Sequence, residues 1–589
     1  MGFVFRKYGL IAFTVTWAAL LGALPLRAGQ VVLNHPDHPV VHSNSLDQPR
    51  LDAVLTRNGE VVEDMMYNAW TGEMEMMPAV FRAFIDTGAS GFAISNLHVG
   101  ENDHDDIPSF HFTGGEFLGE YTNLGLGGEE IGDVVGEFGL RIRNGPVDPF
   151  GMAAEFIEEF VPYEDDFRLW SRRAPGVGEV NEIDMGDWIY ELTSPINIIG
   201  MPVIEQRVMV MNWVRNELLE ESFPDARELQ THLLDKGDGE IPETNVTLDL
   251  EMRDFVGDPA SGEMNPTSSR NPLVKDVTIT HDPERDSVTG DWLFDTGAGA
   301  SFISFDWAQA IGLIPGEFED LESYVVVHED AGGIVSQVGG IGPDIVTVPV
   351  LELNELRVPA REGFDLVWQN VRLLVFEHEE LAELDLEGIF GMNLVGPSVT
   401  LDASVFDGVN VSDPELLLMF FEDISPPPVT SMVFEVTGES TGELRFATNR
   451  VNSSYDTWRA AYFSEAELED ASVSGDEADP GGYGIPNLLR FAFAMDAREP
   501  QRERLPEPLY SPDNDDGDSP VSLWFDRPRD VSGIEYRVDA SEDLDNWTQL
   551  EAEWHVRETF PDRERVEVRV PRSSAEATGD FFRIRVVRE

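Results

Sequence analysis

Short apolar runs separated by turn residues dominate this chain, and few of them repeat at helical spacing. Residues 207–213, 274–280, 345–353 and 371–376 alternate apolar with polar or run continuously apolar, and read as strands. The same signal recurs toward the end of the chain at 521–525, 535–540, 566–570 and 581–587, where Trp524 and Trp547 are expected in a core. Eight glycines between 114 and 136 separate short apolar pieces and predict hairpins. The stretch 324–340 runs Tyr-Val-Val-Val, then Gly332-Gly333, then Ile-Val-Ser-Gln-Val, then Gly339-Gly340, which predicts strand, turn, strand. Helices are expected at 153–161, 226–234 and 305–311, and in a short piece after Gly484. The pattern predicts a mainly β protein.

Two of the apolar runs end in the same phrase. Asp86-Thr87-Gly88-Ala89-Ser90-Gly91-Phe92-Ala93-Ile94-Ser95 follows Ala83-Phe84-Ile85, and Asp295-Thr296-Gly297-Ala298-Gly299-Ala300-Ser301-Phe302-Ile303-Ser304 follows Trp292-Leu293-Phe294. A carboxylate between two apolar strands is costly unless it is used, and two of them suggest a pair. A second anchor also occurs twice and in the same order: Ile198-Ile199-Gly200-Met201 after the first phrase, Ile389-Phe390-Gly391-Met392 after the second. The chain therefore repeats one plan, with the first copy lengthened by an expected insertion at 150–192.

Composition narrows the function. The 589 residues include 111 acidic and 40 basic ones, for a net charge of −71, and Lys occurs only at positions 7, 236 and 275. Nucleic-acid binding is excluded by repulsion from phosphate, and the charge suits a solvated surface in salty surroundings. There is no Cys, so no disulfide, thiol nucleophile or thiolate metal site exists. The eleven His show no paired-ligand spacing, and neither a metal nor a cofactor is expected. Asp476, Glu477 and Asp479 carry calcium-type side chains, but Gly481 and Gly482 stand where further ligands belong. Arg6 and Lys7 before an apolar stretch from Leu10 to Leu26, with Ala28 as the small residue, read as an export signal over 1–28. A secreted, periplasmic or cell-surface location follows, with no membrane association once the signal is cleaved.

Asp-Thr-Gly-Ala after an apolar strand, followed later by two apolar residues and Gly, resembles the aspartic proteases. Both anchors occurring twice resembles their two-lobed single-chain form. Ala89, Ala298 and the Ile-Phe-Gly-Met-Asn run look closer to the retroviral-type branch than to the pepsin-like one. The resemblance implies closed β-barrel lobes at 29–213 and 271–407 joined by a connection at 214–270, with the active site at the lobe interface. It implies catalysis by Asp86 and Asp295 through one water. Thr87, Gly88, Thr296 and Gly297 would fix the carboxylates, and Gly200 and Gly391 would pack beneath them. Flaps are expected near Tyr121 and around Gly332, Gly333, Gly339 and Gly340. The substrate is then a peptide or protein, and one chain acting as an internal pseudo-dimer is expected to be a monomer. Ser90 and Gly299 depart from the charged residue usual in the retroviral branch. A linker and accessory segment over 408–505 and a β-sandwich-like domain over 506–589 complete the chain; their 484–489 and 536–547 segments resemble appendages of exported Gram-negative bacterial proteins. The alternatives are a catalytically weak or inactive peptide-binding or surface-attachment protein on the same scaffold, or two ordinary turn-capping aspartates. A glycosidase pair is disfavoured, because the Thr-Gly context has no role in that chemistry.

Overall fold

The computed structural model describes residues 30–588 apart from 35–37, 69–72, 79, 95–116, 126–127, 146–159, 173–196, 216–226, 239, 255–269, 283–286, 339–345, 378–385, 400–423, 449, 451–453, 469, 500, 510–520, 530, 532, 560–562 and 571–580. The described chain is mainly β. It forms two compact units, one of Leu33–Val358 with Val367–Thr448, the other built on Asn449–Glu589. The expected cleavable segment 1–28 lies outside the described residues. No described helix is long and apolar enough to cross a membrane.

In the first unit the repeated sequence plan becomes a repeated strand order. The first copy comprises β1 (Arg50–Arg57), β2 (Val80–Ile85), β3 (Phe92–Ile94), β4 (Phe117–Gly125), β5 (Gly128–Arg143), β6 (Val161–Arg172) and β7 (Ile198–Ile199). They lie side by side as β1-β2-β7-β3-β6-β5-β4, and β1 pairs again with β5. A short helix α1 (Met201–Ile204) follows, then β8 (Val208–Arg215), β9 (Arg227–Leu234) and β10 (Val246–Arg253). The second copy comprises β11 (Asn271–Thr280), β12 (Val288–Phe294), β13 (Phe302–Ser304), helices α2 (Phe305–Ala310) and α3 (Leu321–Asp330), β14 (Val335–Val338), β15 (Val346–Pro359), β16 (Asp365–Phe376) and β17 (Gly388–Phe390). Its order is β11-β12-β17-β13-β16-β15-β14, and β11 pairs again with β15. The strand senses match as well: β2–β7 and β12–β17 are parallel, β7–β3 and β17–β13 antiparallel, β3–β6 and β13–β16 parallel.

Several sequence expectations change here. Residues 227–234 form β9, not a helix. Leu229, Thr231 and Leu233 are buried in alternation, and the strand pairs with β8 along its whole length, so a two-residue period overrides helix-favouring Glu, Leu and Gln. Residues 321–330 form α3, where a strand was expected from Tyr324 onward. The Asp320 side chain accepts from the Ser323 N–H and starts the helix, His328 sits in its last turn, and only Leu321, Tyr324 and Val325 are buried. Val326 and Val327 are exposed, so the Val run that mimics a strand is split around a helix. Of the expected helix at 153–161, residues 153–159 lie outside the described residues, while Val161 opens β6. The expected insertion thus contributes a strand to the first sheet. Residues 431–447, placed by the sequence reading in the linker and accessory segment, form β18 (Ser431–Gly438) and β19 (Thr441–Ala447). The sheet continues from β11 as β10-β19-β18-β8-β9, so these strands complete the first unit. Phe294 packs against both Phe390 and Phe434, at 6.2 and 6.0 Å between ring centres, which ties this extension to the second copy.

The second unit holds α4 (Tyr455–Tyr462), capped by Ser454, and α5 (Asn487–Ala492). Its strands form a four-stranded and a three-stranded sheet that share one core containing Phe525, Val538, Val566 and Val568. Trp524 and Trp547 are only partly buried, contrary to expectation; Trp547 carries the Arg583 guanidinium 4.0 Å above its ring. The node of this unit is Arg490, whose side chain is fully buried. It donates to the carbonyls of Ile485, Asp496 and Glu499 and to the Asp479 carboxylate. Asp479 also accepts from the Tyr483 and Gly484 N–H groups, so this calcium-type carboxylate is engaged by the protein itself. Arg490→Met leaves the buried Ile485 carbonyl, the part-buried Asp496 and Glu499 carbonyls and a carboxylate short of a donor. It is expected to lower the stability of this unit by about 3 kcal/mol, read as an earlier unfolding transition in calorimetry with that of the other unit unchanged.

Candidate functional site

β2 and β12 each deliver an aspartate at their C-terminal end. The Asp86 N–H donates to Ile199 O at 3.0 Å and the Asp295 N–H to Phe390 O at 3.1 Å, so each phrase is continuous with its second anchor. Each loop then folds back on its own carboxyl. Asp86 Oδ1 accepts from the Gly88 and Ala89 N–H groups at 2.8 and 3.0 Å, and Asp295 Oδ1 from Gly297 and Ala298 at 2.8 and 3.2 Å. Every one of these donors comes from the backbone, as Ala at 89 and 298 requires.

The two threonines join the loops. Thr87 Oγ1 donates to Phe294 O at 2.7 Å and accepts from the Thr296 N–H at 3.1 Å. Thr296 Oγ1 donates to Ile85 O at 2.5 Å and accepts from the Thr87 N–H at 3.1 Å. Both threonines are fully buried, and the exchange is reciprocal. It presses each glycine against the opposite carboxyl. A Cβ on Gly88 would lie 2.5–2.7 Å from the Asp295 carboxyl atoms, and one on Gly297 2.3–2.7 Å from those of Asp86. Gly200 and Gly391 sit beneath: a Cβ on either would lie 2.1 Å from a loop carbonyl, Gly91 O or Ala300 O. Met201 and Met392 donate their N–H groups to Ala89 O and Ala298 O, both at 2.9 Å. All eight residues predicted for the pair and its support therefore converge on one place.

Burial together with the facing Asp295 carboxylate pushes Asp86 well above the usual carboxylate range. Burial also raises Asp295, while its hydrogen bonds with Asp86 and with backbone N–H groups pull the other way. The pair is best treated as one titrating unit that holds a proton at mildly acidic pH. The sign for stability follows. Between the usual carboxylate range and the raised value the native state binds more protons than the unfolded chain, so stability falls as pH rises through that window. Asp86→Asn removes the like-charge contact and keeps the shape. It is expected to raise the melting temperature at pH 7–8 by about 2 °C or more, and to leave it unchanged at pH 3, where the wild-type pair is protonated in both states. A calorimetric series over pH reads this directly.

The flap candidates fare differently. Tyr121 lies in β4, its backbone opposite Gly132 of β5 in a hairpin whose residues 126–127 lie outside the described residues. Gly332 and Gly333 are not at a hairpin tip. They end α3, with Gly332 at φ +81° and both N–H groups returned to helix carbonyls, because a left-handed residue closes this helix. The second hairpin is β14–β15, shifted along the chain, and Gly339 and Gly340 fall in its connection, outside the described residues.

Two polar residues at the site carry no signal in the repeated phrase. Asn271 is buried against the first loop, and Gln48 reaches the second. Each stands just before a Pro at the equivalent point of its copy, Gln48-Pro49 and Asn271-Pro272, a dipeptide signal too short to single them out without the folded arrangement. No model of a known protein family and no curated protein matches the chain.

Proposed function

We propose that this chain is an exported aspartic-type endopeptidase. The observation that carries the reading is the reciprocal Thr87–Thr296 exchange, which presses two coupled carboxyls together at the ends of equivalent strands. The matching strand orders and the extra β1–β5 and β11–β15 pairings support two barrel-like lobes, each contributing one aspartate. The ionised member of the pair takes a proton from a water as that water attacks the peptide carbonyl. The protonated member donates to the carbonyl oxygen, and the proton then passes to the leaving amine. Gly88 and Gly297 allow the close approach this sharing needs. The β4–β5 and β14–β15 hairpins are the proposed flaps, closing over an extended peptide and excluding water. Since one chain supplies both carboxyls, a monomer suffices.

Each inner carboxyl oxygen accepts two backbone N–H groups, and Ala89 and Ala298 supply no hydroxyl. With fewer donors to the charged form, the pair keeps its proton to higher pH. The expected pH–rate profile is bell-shaped, with its optimum in the mildly acidic range. Digestion of an unfolded protein across pH tests both points. An optimum near pH 2 would contradict the account of the loops, and absence of cleavage at every pH would leave a peptide-binding protein on this scaffold.

A further inference from the structure

We infer that Asn271 and Gln48 are positioning residues that hold the two aspartate loops by an exchanged pair of amide contacts; this rests on the peptidase reading of the same site. The carbonyl of the glycine in each Asp-Thr-Gly loop receives a side-chain amide N–H. Asn271 Nδ2 donates to Gly88 O at 2.9 Å, and Gln48 Nε2 donates to Gly297 O. The donors come from opposite directions along the chain. Asn271 is the first residue of β11, the strand that opens the second copy, yet it serves the first loop. Gln48 precedes β1, which opens the first copy, yet it serves the second loop.

Asn271 is committed in full. It is 1% exposed, and Nδ2 also reaches Thr87 O at 2.9 Å, while Oδ1 lies 2.6 Å from Ser90 Oγ and accepts its proton. Both ends of the amide are spent on residues 87 to 90, so the side chain has one orientation and fixes that loop from Thr87 to Ser90. Gln48 is anchored differently. The segment before it is tied to the second copy, with the Ser45 N–H on Gly299 O at 2.7 Å and the Leu46 N–H on Pro397 O at 2.9 Å. Its own N–H is held by the Asp47 carboxylate at 2.9 Å. The Thr pair locks the loops together from beneath. The amides act one residue further on, at the glycine whose backbone faces the opposite carboxyl. A loop that rocks there changes the separation of the carboxyls, on which the sharing of the proton depends.

The chemistry of the donor also matters. An amide donates without charge, so it steadies the loop and leaves the charge balance of the pair to the two carboxyls. The Ser90 hydroxyl, itself uncharged, completes the arrangement by donating to Asn271 Oδ1.

The test uses the full chain and three variants. Asn271→Leu removes both donors, Asn271→Asp keeps the shape but adds a negative charge, and Gln48→Met removes the other amide at nearly constant size. The readouts are kcat and KM on a peptide substrate, and the titration of the pair followed by carbon-13 NMR of labelled aspartate carboxyls, which needs no turnover. Asn271→Leu and Gln48→Met are expected to lower kcat by about 10-fold or more with KM within about 2-fold. Asn271→Asp is expected to raise the apparent pKa of the pair and move the activity optimum upward, as a like charge nearby requires. If folded Gln48→Met and Asn271→Leu keep wild-type kcat and an unmoved carboxyl titration, the positioning role is wrong and these residues serve only stability. Should wild-type protein not cleave at all, the peptidase reading fails while the NMR titration still decides for or against the amides. Gln48→Met guards against simple misfolding, because Gln48 is only part-buried.

Discussion

Peptide hydrolysis by Asp295→Asn protein is expected to fall by at least about 10³-fold in kcat/KM, and by the same order for Asp86→Asn. The reason is the sharing of one proton. Asn matches Asp in shape and hydrogen-bonds the same Gly297 and Ala298 N–H groups, so the loop has no cause to move. It accepts no proton from water and gives none to a carbonyl. A single substitution therefore removes the acid and the base together, since each role needs the other carboxyl in its complementary state. Binding of a peptide, driven by surface outside the two oxygens, is expected to survive. The stability readout separates this result from misfolding, because Asp86→Asn is expected to be more stable than wild type at neutral pH while inactive at every pH. Two buried carboxyls held against each other lower stability at neutral pH. Cleavage that persists in either Asn variant, in protein shown free of contaminating protease by an inactive mock preparation, would remove the pair from the chemistry.

Where the chain states its structure locally, the sequence can be read. The strands at 274–280, 371–376 and 521–525 follow from period and β-branched content, and the structure extends each by a few residues where ladder pairing continues. The paired aspartates and the threonines were legible because the chain repeats them, and a repeated phrase after a repeated apolar run is an argument independent of any one position. The failures have a physical pattern too. β9 and α3 differ in kind from what their local patterns predict, because each is decided by its neighbours. Residues 227–234 become a strand only because β8 offers an edge to pair with, and residues 321–330 become a helix because Asp320 caps it and Gly332 ends it. Within the expected linker, Ser425-Pro426-Pro427-Pro428 looks like a break between domains, yet the strands beyond it return to β8 and β10. Gln48 and Asn271 were invisible for a deeper reason. Their contacts join segments 249 and 183 residues apart, and the amide-Pro dipeptide they share, Gln48-Pro49 and Asn271-Pro272, is too short to stand out, since Asn265-Pro266 occurs as well.

The glycines beneath the loops give the sharpest structural prediction. Gly391 has φ −91° and ψ 178°, and Gly200 has φ −95° and ψ −164°, both extended conformations open to any residue. Neither is glycine for the sake of its backbone angles. The demand is space. A Cβ on Gly391 would stand 2.1 Å from Ala300 O and 2.5 Å from Ala300 C, and the obstacle is main chain. That main chain has nowhere to go: the Gly391 N–H is bound to Ser301 Oγ at 3.0 Å, and Met392 to Ala298 O at 2.9 Å. Gly391→Ala is therefore expected to cost more than about 4 kcal/mol or to prevent folding of the first unit, and Gly200→Ala likewise. Relief by displacement would push Ala298 and with it the Asp295 carboxyl, so any folded fraction is expected to be inactive. Gly332→Ala is the contrasting case. Its φ of +81° is left-handed but no atom lies within 4 Å of the added Cβ, so the expected cost is only about 1–2 kcal/mol, with activity retained. Denaturant midpoints and residual cleavage for the three variants distinguish close approach from backbone angle as the reason for glycine. Wild-type stability in Gly391→Ala would mean that the second anchor does not carry the aspartate loop, and the repeated two-anchor plan would lose its mechanical meaning.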